Sequence, residues 1–120
     1  MINSFKDLII WQKSIQLAKE VYKITESFPK SELFGMTSQM RRASVAIPSN
    51  IAEGFSRKHR KEYRQFLLIA FSSAAEVETY FILSKELGLV KENYLLKSAG
   101  TLEEIQKMLN KIIRTLSSYE

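Results

Sequence analysis

The stretch Ser38–Phe55 reads SQMRRASVAIPSNIAEGF, and its spacing decides the fold. Together with the residues just before it, the apolar positions Leu33, Met36, Met40, Ala43, Ile47 and Ile51 recur three and four apart. That spacing lines one face of a helix. Pro48 falls inside the pattern. It has no N–H to bond the carbonyl four residues back, that of Ser44, and an interior proline costs on the order of 3 kcal/mol. The periodicity nevertheless continues through Ile51 to Phe55, which predicts one helix with a proline kink rather than two helices. The hydroxyls of Ser44 and Ser49 are local groups able to compensate the lost bond. Ser31 is the expected N-cap. Gly54 is placed either to end the helix in a left-handed conformation or to let a neighbour pack closely.

Working outward, the preceding segment predicts a helix opening between Phe5 and Asp7, capped by Ser4 or Asp7, and closing at Phe28-Pro29. It carries two apolar seams, Leu8, Trp11, Ile15, Ala18, Tyr22 and Ile10, Leu17, Val21, Ile24, Phe28. Together they cover roughly 200° of the helix, wider than a surface helix needs. Either several helices of the same bundle surround it, or part of it meets another subunit. Trp11 is read as core.

The third helix is expected from just after Ser56 to Leu87, stopped by Gly88. Its seam is Tyr63, Phe66, Ala70, Val77, Tyr80 and Leu87, with Leu67, Phe71, Ala74 and Phe81 alongside. The small run Ser72–Ala75 would let a neighbouring helix approach. The last helix starts near Lys91 or Glu92. Its residues Leu95, Ser98, Leu102, Ile105, Leu109, Ile112, Leu116 and Tyr119 step by three and four, as a coiled-coil seam does. The sequence thus predicts an all-α chain forming one domain over residues 1–120, an up-down-up-down antiparallel four-helix bundle with a proline kink in its second helix.

Composition removes several function classes. There is no cysteine, hence no disulfide framework and no thiolate metal site, and His59 is the single histidine. The N-terminal segment lacks the pattern of a signal peptide. No apolar run comes near the roughly 18 residues that span a bilayer, so no membrane partner and a cytoplasmic location are expected. Catalysis finds no support either. Glu76 and Glu78 are two apart and face different sides of a helix, no Glu-x-x-His pair is present to build a di-metal centre, and no glycine-rich phosphate loop occurs. No enzymatic activity and no cofactor are expected.

Net charge is +5, and its distribution is more informative than its size. Arg57, Lys58, Arg60, Lys61 and Arg64 fall within eight residues at the start of the third helix. One interpretation is a solvated helix start. The other is an anion site, because cations at a helix N-terminus oppose its dipole, whereas bound phosphates would receive both the cations and the free N–H groups. Such contacts act through counterion release and carry no base specificity. Arg41 and Arg42 lie about 20 Å from the turn at 1.5 Å per residue, too far to join that cluster within one subunit. They are expected instead to pair with Glu53, Glu76, Glu78 or acids of a neighbouring subunit. Asn50 and Glu53 are read as structural, serving the kinked backbone or a subunit contact.

The combination Gln39, Arg41, Arg42, Ala43, Ile47, Pro48, Asn50, Ile51, Ala52, Glu53 and Gly54 resembles the signature of the bacterial four helix bundle protein family. That family is also called the intervening-sequence or S23-type ribosomal protein family. Phe5, Leu8, Trp11, Gln12 and Lys13 resemble its opening, and Ala70, Ser73, Glu76 and Glu78 its third helix. Phe71 departs from the small residue expected there. The resemblance implies a ring-like homopentamer, with some relatives encoded within intervening sequences of ribosomal RNA genes. It also implies a link to the accessory protein of diversity-generating retroelements, which binds nucleic acid and a reverse transcriptase through basic surfaces. The expected partners are therefore further copies of the chain and nucleic acid, RNA ahead of DNA. The alternative is an interaction scaffold for a nucleic-acid enzyme such as a reverse transcriptase.

Overall fold

A computed structural model describes residues 1–118 as four helices: α1 (Ile9–Thr25), α2 (Ser38–Arg57), α3 (Arg60–Glu86) and α4 (Glu92–Ser117). Tyr119, the last member of the expected α4 seam, lies outside the described residues. Contacts across the helices fix their directions. Lys13 reaches Glu104 while Glu20 reaches Lys97 and Ser98, so numbers rise along α1 as they fall along α4. Arg64 bonds Ser117, Glu78 bonds Gln106 and Lys85 bonds Glu92, which sets α3 antiparallel to α4 in the same way. The molecule measures 46 × 22 × 20 Å. The 27 residues of α3, about 40 Å at helical rise, fit only along its length.

Of the two seams predicted on α1, Ile10, Leu17, Val21 and Phe28 are buried, whereas Leu8, Trp11, Ile15 and Ala18 are half-buried and Tyr22 is exposed. Ile10, Leu17 and Val21 of α1 meet Met40, Ala43, Ile47 and Ile51 of α2, with Leu67, Ala70, Ala74, Val77 and Phe81 of α3 and Leu102, Ile105 and Leu109 of α4 closing the core. In α4 the seam passes from Leu109 to the buried Ile113, leaving Ile112 only half-buried, because a straight helix drifts from a strict heptad. On α3 the buried line runs through Leu67, Ala74 and Phe81, while Leu87 and Phe71 face outward. Trp11 is half-buried, its ring set edge-on to Phe5 at 5.3 Å.

Several boundaries differ from expectation. Phe5–Asp7 is a separate turn of 3₁₀ helix, closed by a capping box in which Ser4 accepts from the Lys6 amide and Asp7 accepts from the Asn3 and Ser4 amides. Helix α2 does not begin at Ser31. A 3₁₀ turn (Lys30–Glu32) and a single wide π turn (Leu33–Thr37) precede it, with Gly35 off helical geometry, so Leu33 is exposed rather than core. From Ser38 the helix is continuous through the buried Pro48. The Ser44 and Ser49 hydroxyls bond the carbonyls of Arg41 and Val45 rather than that of Ser44.

Gly54 does not end α2. It sits inside the helix, buried, where an added Cβ would fall 2.6 Å from the Cβ of Phe66. The left-handed residue that closes α2 is Lys58 (φ 60°). The expectation that no segment is apolar enough for a membrane also needs correction. An 18-residue window of α3 has mean hydropathy 1.5, sufficient in length and composition to cross one. A third of that window is buried in the bundle, while Ile69, Phe71, Ile82 and Leu83 of the same helix are exposed.

Candidate nucleic-acid interface

The link between α2 and α3 is two residues long, Lys58 and His59. A connection this short holds the end of one helix beside the start of the next. Gly54 sharpens the approach, since its missing side chain admits Tyr63 and Phe66. Phe55 completes the contact by meeting the Tyr63 ring edge-on at 5.8 Å. Burial in this contact raises the Tyr63 phenol above its ordinary value near 10.

The five predicted cations all lie at this end, in unequal settings. Arg57 is the last residue of α2, where a cation suits the helix dipole. It bonds Glu53 at 3.3 Å and its guanidinium lies 5.3 Å from the Phe66 ring. Arg64 is half-buried and donates to the Ser117 hydroxyl in the final turn of α4, again at a helix C-terminus. Lys58, Arg60 and Lys61 are exposed. The argument from an opposed dipole therefore holds only for Arg60 and Lys61. Behind them the N-cap His59 makes no side-chain bond to the first amides of α3, and a helix N-terminus favours an anion through its dipole.

The bond from Arg64 to Ser117 also brings Arg114, exposed and three residues before Ser117, to the same end. Sequence reasoning did not place it there, although an antiparallel α4 necessarily ends beside the start of α3. The result is six cations around one end of the bundle.

The other polar residues singled out on α2 bond within the chain. Arg41 does not reach Glu53, Glu76 or Glu78. It turns back to α1, donating from Nε to Thr25 Oγ1 at 2.8 Å and from Nη2 to the Tyr22 carbonyl at 3.4 Å, with its guanidinium 4.5 Å from the Tyr22 ring. Arg42 donates to Gln39 within its own helix. Asn50 donates to the Ala46 carbonyl at 2.7 Å, and Glu53 is occupied by Arg57. Among the described residues no group of three or more His, Asp or Glu could hold a metal ion.

Fold and charge together define a four-helix bundle with one strongly basic end. The chain belongs to the 23S rRNA-intervening sequence protein family, whose profile matches residues 6–111. Among solved structures it is similar to a protein of unknown function from the S23 ribosomal protein family of Bacteroides thetaiotaomicron. That likeness has a TM-score of 0.78 at 25% identity and covers 88% of this chain and 98% of the other. No curated protein matches the chain.

Proposed function

We propose that the chain is a non-enzymatic homo-oligomer that binds RNA through phosphate contacts at its basic end. The observation that carries this reading is convergence. The C-terminus of α2, the N-terminus of α3 with no side-chain cap, and the C-terminus of α4 bring six cations together. Arg57 and Arg64 brace the end, and Lys58, Arg60 and Lys61 are exposed there. A homopentamer, the assembly that the family resemblance implies, would carry a formal charge of about +25. Self-association is supported by apolar surface. Ile15, Ala18 and Tyr22 of α1 border a shallow groove of about 580 Å³ shared with Val45 of α2, and Ile69, Ile82 and Leu83 are exposed on α3.

A salt titration of binding to single-stranded RNA tests the proposal. Four neutralised phosphates give a slope of about −3 in log affinity against log salt. Absence of binding at low salt, or affinity unchanged in the variant Lys58→Gly, Arg60→Gln, Lys61→Gln, would sink it. The exposed row on α3 favours a second reading, an accessory subunit of a nucleic-acid enzyme such as a reverse transcriptase. A protein partner retained after nuclease treatment and high salt would support that reading instead.

A further inference from the structure

At the end of the bundle away from the basic cluster, the last turns of α1, the link 87–91 and the first turns of α4 enclose a cleft of about 810 Å³. This is within the range of small-molecule sites, about 300–1,000 Å³. Ile24, Leu89 and Val90 give it an apolar floor. Tyr94 stands in its wall and is 65% exposed. An aromatic ring left in solvent beside an apolar floor offers a face on which a flat partner can stack.

Lys23, Lys91 and Lys97 share the lining. The acid among them, Glu20, is already engaged. It accepts from Ser98 Oγ and Gln16 Nε2, each at 2.9 Å, and lies 3.9 Å from Lys97 Nζ. Helix α4 starts here with no side-chain cap; the Tyr94 amide already bonds the Lys91 carbonyl at 3.0 Å, which leaves the Glu92 and Asn93 amides as donors for an anion. The cleft therefore combines a stacking face, an apolar floor and an excess of cations. An aliphatic acid would satisfy the cations and leave the ring unused, and free phosphate would leave both ring and floor unused.

We propose that this cleft binds a nucleotide, its base stacked on Tyr94 over the apolar floor and its phosphate held by the lysines and the α4 amides. The proposal concerns the opposite end from the basic cluster, and each can fail without the other.

The test is titration of the full chain with adenosine, guanosine, cytidine and uridine 5′-monophosphates, followed by amide NMR shifts. Saturable shifts centred on Gly88–Leu95 and Ser98 are expected. Tyr94→Ala should weaken binding by about tenfold, the effect of losing one stacked base, while Tyr94→Phe retains it. Ribose 5-phosphate, which keeps the anion and lacks the base, should bind more weakly than every nucleotide. The variant Lys58→Gly, Arg60→Gln, Lys61→Gln should bind nucleotide as the parent does, even if it loses RNA. The proposal is overturned by shifts confined to residues 57–64, by equal affinity for inorganic phosphate, by indifference to Tyr94→Ala, or by saturation with decanoate but not with nucleotide.

Discussion

The two ends of this bundle use similar residues differently. At the basic end, α2 and α3 are joined by two residues and Gly54 lets them approach closely, so the cations stand where two helices are held together. At the other end, five residues separate α3 from α4, and a cleft lies between this link, the end of α1 and the start of α4. At each end an arginine is consumed by the fold. Arg41 ties α2 to the end of α1, and Arg64 ties α3 to the end of α4. A planar guanidinium with several donors suits such fixed contacts, whereas lysine is a flexible point charge. Lys58 and Lys61 at one end, and Lys23 and Lys91 at the other, are left facing solvent. Charge density along the chain is thus a poor guide to role. The helix end that each cation meets is a better one.

The largest expected effect tests whether the exposed cations are the binding groups. Hydrogen bonds to charged groups contribute about 1.5 kcal/mol each. Losing two or three in Lys58→Gly, Arg60→Gln, Lys61→Gln should lower RNA affinity on the order of 100-fold or more, with the folded state intact by circular dichroism. Gly54→Ala should destabilise by about 2 kcal/mol in urea melts, because the new methyl group overpacks against Phe66. Arg41→Ala should cost about 1.5 kcal/mol, from a lost hydrogen bond and cation–π contact, while leaving RNA affinity unchanged. An affinity loss there would erase the contrast between the two ends.

Ser84→Ala should stabilise by about 1 kcal/mol, since the buried Ser84 hydroxyl has no partner and its desolvation is uncompensated. The smallest effect is titration of Tyr63. Its folded pKa lies above the unfolded value, so its contribution is complete below about pH 10 and is lost as pH climbs through the folded value. Chemical melts from pH 9 upward should fall less steeply for Tyr63→Phe than for the parent.

Periodicity made the core legible: Met40, Ala43, Ile47 and Ile51 on α2, and Leu95 to Leu109 on α4, are buried as their spacing requires. What the sequence concealed was set by neighbours distant along the chain. Gly35 interrupts a pattern that Leu33 and Met36 otherwise continue. Gly54 is well placed by sequence to end the helix, with a close contact as the other option, and only the approach of Phe66 decides for the contact. A lysine in the left-handed region gives no signal, because lysine has no preference for it. The partner of Arg41 lies 16 residues back, at Thr25, and no local rule reaches it. The five cations of the basic run were visible in the sequence. The bonds that Arg57 and Arg64 make, and the addition of Arg114, required helix ends brought together by the fold.

The two-residue link has a thermodynamic consequence. With Lys58 fixed between two long helices, the backbone under the cations has nothing left to order when a ligand arrives. Only side-chain rotamers are immobilised, at about 0.5–1.5 kcal/mol each. Association with RNA should then show little heat-capacity change from the protein and an entropy dominated by released counterions. In such a complex the conformational adjustment falls to the RNA, which must shape itself to a tip of fixed form.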